Sequence, residues 1–204
     1  MSSRDYNEDV LVKSSAVNIF KEMFQGYNFS FLDVMEEVFK TKEQEGTLGR
    51  ETKTEVILIK KLRDAIINLN QGISEEEIEL VLQELLFDRS RLSSIMANKE
   101  IYNQLKNGIK IKIKKDGKYL NKTVRVIDFN DPKNNEYFLA SEFWVTGEYG
   151  AKRADLILFV NGLPLVVMEL KRPRVPVREA FDKNIGDYLD TIPNLFWYNA
   201  FIIL

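Results

Sequence analysis

The stretch "ADLILFVNGLPLVVMELK", residues 154–171, contains two apolar runs separated by Asn161-Gly162. An Asn-Gly pair between two such runs is typical of a tight β-hairpin turn. Each run has the length and β-branched content of a strand that is buried on both faces. An acid is costly in such a strand, yet Asp155 begins the first run and Glu169 ends the second. We therefore expect a compensating group beside these acids.

The geometry of the turn decides whether the two acids meet. A two-residue loop would place Asp155 opposite Met168, so that Asp155 and Glu169 would point to different faces of the hairpin. A three-residue loop that pairs Val160 with Pro164 would instead place Asp155 opposite Glu169. We predict the three-residue loop or an equivalent β-bulge.

In that register the carboxylates of Asp155 and Glu169 would lie within roughly 5 Å of each other across the strands. Like charges so close and half buried cannot both stay ionised without a cation, which favours Mg²⁺ or Mn²⁺ on hard oxygen ligands. Lys171 lies two residues after Glu169 and shares its face of the strand. These parts suit hydrolysis of a phosphodiester, with Lys171 positioning the attacking water or stabilising the developing charge. A structural ion pair with Lys171 is the alternative that spacing alone leaves open.

The composition excludes several kinds of chemistry. The 204 residues contain no Cys and no His, which rules out disulfides, thiolate zinc sites and every mechanism with a histidine base. The 29 basic and 31 acidic residues give a net charge of −2, which by itself predicts neither a nucleic-acid nor a membrane partner. The N-terminus lacks the pattern of a signal peptide, and no apolar run approaches the roughly 18 residues of a membrane span. We therefore expect a cytoplasmic protein.

Hydrophobic periodicity predicts helices in the first half of the chain and strands in the second. The predicted helices cover residues 30–43, 51–69 and 74–86, the last beginning with a capping box, and 177–191. The predicted strands cover residues 109–115, 123–129, 136–145, 154–160, 164–171 and 196–204. The sequence thus predicts one compact mixed α/β protein, with an N-terminal helical region (1–108) packed on a core (109–204). Because it ends on an apolar strand, we expect a longer protein of which these residues are the N-terminal part.

Three segments carry a family resemblance: "VIDFNDPKNNEYF" from Val126, "RADLILFVNGLPLVVMELKRP" from Arg153 and "AFDKNIGDYLDTIPNLFWYNAF" from Ala180. They resemble the N-terminal nuclease domain of the R (restriction) subunit of type I restriction-modification enzymes, a member of the PD-(D/E)xK nuclease superfamily. The resemblance is dense from Val126 to the C-terminus and looser upstream.

This resemblance implies a restriction-endonuclease-like α-β-β-β-α-β core. In it Asp155, Glu169 and Lys171 match the catalytic acid, acid and lysine of the family, and the two acids would bind Mg²⁺, with Mn²⁺ also possible. Ala154 stands where the family has Pro, which should leave catalysis unaffected. The sequence assigns no third acidic ligand.

The resemblance also implies supporting residues around this site. Nucleases of this group carry Q-x-x-x-Y on the following helix, and the matching positions here are Asn184 and Tyr188, so the Gln is replaced by a shorter Asn. We expect these two side chains, with Arg153, Arg172 and Arg174, to contact the DNA backbone or support the lysine. A polar helix face without function is the alternative for Asn184.

The R subunit of such enzymes continues into an ATP-driven DNA translocation motor and works with modification and specificity subunits. The resemblance therefore implies a type I site-specific deoxyribonuclease whose nuclease domain acts on double-stranded DNA, with ATP needed only by the motor outside this chain. Two alternatives stay open. One is a catalytically inactive, nuclease-like module for DNA binding or assembly, and the other is a repair or recombination nuclease of the same superfamily.

Overall fold

The computed structural model describes residues 3–115, 117–171, 178 and 181–204. Its strands are β1 Asn28–Asp33, β2 Ile109–Lys115, β3 Lys118–Val124, β4 Glu136–Gly147, β5 Gly150–Val160, β6 Leu163–Met168 and β7 Phe201–Ile203. Its α-helices are α1 Ser3–Met23, α2 Ile59–Leu69, α3 Glu75–Leu85, α4 Ser94–Asn107, α5 Gly186–Thr191 and α6 Pro193–Phe196. A 3₁₀ turn covers Pro132–Asn134, and a π-helical segment, Phe181–Ile185, leads directly into α5.

A five-stranded mixed sheet, in the order β1-β4-β5-β6-β7, forms the centre of the protein. Strands β4, β5 and β6 are antiparallel neighbours. At the two edges of the sheet, β1 pairs in parallel with β4 and β7 pairs in parallel with β6. Strands β2 and β3 form a separate antiparallel hairpin. The predicted mixed α/β class is confirmed.

Both faces of the central sheet are covered, as the apolar composition of β5 and β6 predicts. Leu156 and Leu158 on β5 pack on the side of α1, together with Val17 of that helix. Ile157 and Phe159, which point the opposite way, belong to the larger core under the remaining helices. The sheet is therefore the middle layer of three. Within the described residues, no helix is long and apolar enough to cross a membrane.

The turn between β5 and β6 differs from the predicted three-residue loop. Asn161 and Gly162 both have positive φ, 52° and 79°, as a two-residue type I′ turn requires, and Val160 pairs with Leu163. Glycine suits position 162 for two reasons: it tolerates the positive φ, and any Cβ there would lie 2.5 Å from the carbonyl oxygen of Leu58. The loop prediction is wrong because the Asn-Gly pair satisfies the tighter turn.

A β-bulge restores the register that the two-residue turn would have lost. The pairing shifts by one residue next to Phe159, where β6 carries an extra residue. Beyond the shift Leu156 pairs with Met168, so the following residues, Asp155 and Glu169, come into line. The bulge that we considered as the equivalent of a longer loop is confirmed.

The predicted helix over residues 30–43 is wrong. Residues 28–33 form β1, with Phe29 and Phe31 packed at the α1 side of the sheet, and the chain after Asp33 is irregular. Parallel pairing with β4 satisfies the backbone of this segment, which outweighs its helical spacing of apolar residues. The buried Arg50 then holds the irregular segment to the sheet, because it binds Glu37 and the carbonyl oxygen of Trp144.

Several other element boundaries differ from the predictions. The strand expected over 164–171 is β6, which ends at Met168, so Glu169 and Lys171 follow it. The helix expected over 51–69 begins only at Ile59, since Leu58 donates its N–H to the carbonyl of Gly162 at 2.9 Å. The strand expected over 123–129 is β3, which ends at Val124, and the C-terminal strand covers Phe201–Ile203 only. The capping box of Ser74 and the strand beginning at Ile109 are confirmed.

The close approach of α2 to the β5-β6 turn predicts an unequal effect of two glycine substitutions. Gly162→Ala should lower the free energy of unfolding by more than Gly72→Ala, as measured by urea denaturation. Both residues have positive φ, so each alanine would introduce roughly 1 kcal/mol of backbone strain. Only at Gly162 would the new methyl group also meet backbone atoms of Leu58 and Leu62, because Gly72 has open space within 4 Å. Equal losses would contradict this contact between α2 and the turn.

Candidate functional site

The register of β5 and β6 brings two acids, Asp155 and Glu169, to one end of the sheet. We call these two residues the acid pair. A carboxylate oxygen of Asp155 accepts a hydrogen bond from the backbone N–H of Leu170 at 2.7 Å, which ties it to the segment that holds Glu169. The backbone N–H of Glu169 in turn donates to the carbonyl of Ile203 in β7 at 2.9 Å. Three neighbouring strands thus position the acid pair.

The carboxylate of Glu169 is buried, with 3% of the residue exposed, and is surrounded by side-chain donors. Lys171 Nζ lies 2.8 Å from Glu169 Oε1, and the amide of Asn184 donates to the same oxygen. The hydroxyl of Tyr188 lies 3.0 Å from Glu169 Oε2. The structure therefore places Lys171, Asn184 and Tyr188 around one acid.

Asn184 and Tyr188 reach Glu169 from one side of the helical segment that follows β6. Asn184 belongs to the π-helical turn and Tyr188 to α5, four residues later. The Tyr188 hydroxyl also lies 2.7 Å from the carbonyl oxygen of Arg153. Burial, and then the charge of Glu169, raise the pKa of Tyr188, so its hydroxyl stays protonated and acts as a donor. The replacement of Gln by the shorter Asn184 does not prevent contact with Glu169.

The electrostatics of Asp155 are unusual for an aspartate. Burial, and then the charge of Glu169, raise the pKa of Asp155 from 3.8 to about 6. The Leu170 N–H and Lys171 oppose this rise, while Glu142 adds to it. A neighbouring acid disfavours the charged form of Asp155, and a divalent cation bound between the two carboxylates would offset this repulsion. The acid pair thus fits Mg²⁺ or Mn²⁺, which bind hard oxygen ligands and often retain several waters.

The structure adds one acid that the sequence analysis missed. Glu142 lies in β4, is 8% exposed, and has a positive φ of 60°. Its carboxylate lies 3.1 Å from Lys13 Nζ and 2.8 Å from Arg153 Nε. The signal that drew attention to Glu169, an acid inside an apolar strand, is also present in "FLASEFWV", where Glu142 has apolar neighbours.

The remaining predicted residues fall in two groups. Arg153 has 42% of its side chain exposed and is paired with Glu142. Arg172 and Arg174 lie outside the residues that the structure describes. In the described part of the chain, no three Asp, Glu, His or Cys side chains are arranged to hold a metal ion. A cation here would therefore depend on the two carboxylates of the acid pair.

A mixed sheet with an acid pair and a lysine at one end defines a candidate hydrolytic site, and comparison with known proteins agrees with this class. The chain belongs to the family described as type I restriction enzyme R protein N terminus (HSDR_N), which matches residues 5–204. Residues 155, 169 and 171 lie within this match.

Similar proteins carry names from the same system. The chain is 31% identical over 167 residues to the "Type I restriction enzyme HindI endonuclease subunit" of Haemophilus influenzae, covering 78% of this chain and 15% of that protein. It is 27% identical over 203 residues to the "Putative type I restriction enzyme MjaIXP endonuclease subunit" of Methanocaldococcus jannaschii, covering 97% of this chain and 18% of that protein. The chain thus spans less than one fifth of the length of these relatives.

The raised pKa of Asp155 predicts a pH-dependent effect of Asp155→Asn on stability in the absence of divalent metal. Between pH 4 and 6 the unfolded chain releases a proton that folded Asp155 retains, so the stability of the wild type falls with rising pH relative to the variant. The full effect above pH 6 corresponds to about 3 kcal/mol, because each unit of pKa is worth about 1.4 kcal/mol. Urea denaturation in EDTA at several pH values measures the difference.

The control for this experiment is Glu45→Gln, which alters an exposed acid in a loop remote from Glu169, Glu142 and Lys171. Its stability relative to the wild type should show no comparable rise between pH 4 and 7. A constant difference between the wild type and Asp155→Asn would contradict the burial and charge that we assign to Asp155.

Proposed function

We propose that this chain is the DNA-cleaving module of a type I restriction enzyme R subunit and hydrolyses phosphodiester bonds with Mg²⁺ or Mn²⁺. The observation that carries the proposal is the convergence of Lys171, Asn184 and Tyr188 on Glu169, beside an Asp155 whose pKa is raised. Family membership supports it, since similar proteins are named endonuclease subunits. In this proposal Asp155, Glu169 and Lys171 would be the acid, acid and lysine of a PD-(D/E)xK nuclease.

In this proposal Asp155 and Glu169 hold the cation. The bound cation would polarise a phosphoryl oxygen and acidify a water molecule. Asn184 and Tyr188 fix the orientation of Glu169, so that both of its oxygens have defined roles. Lys171 is only partly buried, with 27% of its side chain exposed, so its ammonium group can meet an incoming phosphate oxygen or the attacking water.

DNA would be bound through its phosphates. Candidate contacts are Arg153, next to the site with 42% of its side chain exposed, and Arg178, which is 91% exposed and pairs with Asp182. Such residues neutralise backbone charge without reading bases. Recognition of the DNA sequence would belong to a specificity subunit, methylation to a modification subunit, and ATP-driven translocation to a motor outside this chain.

One observation favours a second candidate, a nuclease-like module without catalytic activity. The side-chain donors around Glu169 satisfy its carboxylate, and Lys171 pairs with it, as in a structural ion pair. The two candidates differ in cation binding, because a purely structural ion pair has no need of Mg²⁺ or Mn²⁺.

The proposal predicts that Asp155→Ala and Glu169→Ala each weaken Mn²⁺ binding by at least about tenfold, measured by calorimetry on the 204-residue chain. Both should also slow plasmid nicking by about 10²-fold or more, as expected when a group that stabilises the transition state is removed. Lys171→Met should slow nicking to a similar extent while the protein still binds Mn²⁺, because Lys171 contributes no ligand. EDTA should abolish nicking by the wild type.

Glu79→Ala provides the control, since it removes an exposed acid that pairs with Arg63 on a distant helix. It should bind Mn²⁺ and nick DNA as the wild type does. Mn²⁺ binding that survives in both acid-pair variants would place the cation elsewhere and refute the assignment. A wild type that binds no Mn²⁺ and does not nick DNA, either as this chain or in a complex with modification and specificity subunits, would favour the non-catalytic module.

A further inference from the structure

Glu142 interrupts β4 directly opposite Asp155. The β4-β5 pairing includes Ser141 with Leu156 and Phe143 with Ala154, so Glu142 and Asp155 face each other between two regular pairs. Glu142 adopts φ 60°, a left-handed conformation that costs a non-glycine residue roughly 1–2 kcal/mol. Irregularities of this kind occur next to active sites, where they re-aim a side chain. The strain therefore indicates that the local shape of β4 at this point is needed.

The carboxylate of Glu142 is held by two cations from different elements. Lys13 of α1 donates to Oε1 at 3.1 Å and also to Asp33 at 3.0 Å. Arg153 Nε lies 2.8 Å from Oε2, but the pair is not aligned for a hydrogen bond. Among the described residues the buried Oε2 consequently has no hydrogen-bond donor. The contact between Oε2 and Arg153 is therefore electrostatic, and two cations compensate the buried charge of Glu142.

Glu142 is connected to both members of the acid pair. It faces Asp155 across the strands. The backbone carbonyl of Arg153, whose side chain pairs with Glu142, accepts a hydrogen bond from the hydroxyl of Tyr188, and this hydroxyl also contacts Glu169. Helix α1 contributes Lys13 to this network, while Val17 of the same helix packs on the sheet. Lys13, on the α1 side of the sheet, is thus connected to the acid pair through Glu142.

We propose that Glu142 is a positioning residue for Asp155, and that Lys13 of α1 keeps it in place. The strained backbone at Glu142 sets the path of β4 beside Asp155, and the two cations hold the carboxylate that maintains this path. This inference rests on the proposed function, in which Asp155 is a cation ligand. It gives α1 a part in the site although the helix supplies no member of the acid pair.

The test is the affinity of the 204-residue chain for Mn²⁺, measured by calorimetry for the wild type and Glu142→Gln. The isosteric change removes the charge that binds Lys13 and Arg153, so Mn²⁺ binding should weaken by about tenfold, as when an outer-shell partner is lost. Glu136→Gln is the matched control, because Glu136 lies on the same strand and also pairs with a lysine, Lys61. It should bind Mn²⁺ as the wild type does.

Thermal unfolding in EDTA and in Mn²⁺ separates positioning from general stability. Glu142→Gln should show a smaller increase in Tm on adding Mn²⁺ than the wild type and Glu136→Gln. A purely structural role would lower Tm equally in both conditions and leave the Mn²⁺-induced increase intact, which would overturn the proposal. Glu142→Asn serves as a second variant, since Asn tolerates positive φ and preserves the backbone.

Lys13→Gln distinguishes positioning from direct ligation. If Lys13 holds Glu142 in place, this variant should also weaken Mn²⁺ binding. If Glu142 were itself a ligand, releasing it from Lys13 would leave the affinity unchanged or increase it, and that result would overturn positioning. Wild-type affinity for Mn²⁺ in Glu142→Gln would also overturn the positioning role. Wild-type affinity in Asp155→Asn would instead refute the proposed cation site, so the two failures are separable.

Discussion

The repulsion between two partly buried carboxylates is the constraint around which this protein is built. Asp155 and Glu169 are brought together by cross-strand pairing, and the pKa of Asp155 rises to about 6, first through burial and then through the charge of Glu169. The fold keeps the two carboxylates close together and offsets their repulsion with hydrogen-bond donors. A lysine, an amide and a phenol meet Glu169, while a backbone N–H meets Asp155. In the proposed function, a bound cation would relieve the part of this repulsion that remains at Asp155.

The layers on the two faces of the sheet contribute differently to this site. The helical segment after β6 provides Asn184 and Tyr188, which contact Glu169 directly. On the opposite layer, α1 provides Lys13, which donates to Glu142 and Asp33. The helical segment after β6 therefore contacts the acid pair directly, whereas α1 contacts Glu142, which faces Asp155. The sheet between them carries the connection through Arg153, whose side chain pairs with Glu142 while its carbonyl accepts Tyr188.

Local sequence patterns predicted the parts of the fold that depend on short-range chemistry. The capping box of Ser74, the alternating β2 strand and the strands around Asn161-Gly162 were recognisable because each rests on a few neighbouring residues. The choice between a longer loop and a bulge could not be made from the sequence. Both restore the same register, and they differ only in where one extra residue is accommodated. Strand β1 was missed because parallel pairing with β4, more than 100 residues later, overrides the helical spacing of its apolar residues.

The candidate site shows the same division. Asp155, Glu169 and Lys171 were visible as charges in apolar strands, and Asn184 and Tyr188 through a family pattern. Glu142 carries the same signal as Glu169, but its importance depends on the residue across the ladder, which sequence spacing does not give. The contact between Lys13 and Glu142 joins residues separated by 129 positions, so it depends on how α1 docks on the sheet.

The hydrogen bond from Glu169 to Ile203 has a consequence for the order in which the protein is made. A ribosome that has synthesised the chain as far as Lys171 has already produced both acids and the lysine. Tyr188 and β7 are not yet present, so neither the phenol that contacts Glu169 nor the strand that fixes its backbone is available. A tight turn cannot join parallel strands, so the pairing of β6 with β7 also needs the chain between them. A nascent chain therefore lacks the assembled candidate site until β7 has been made and has paired with β6.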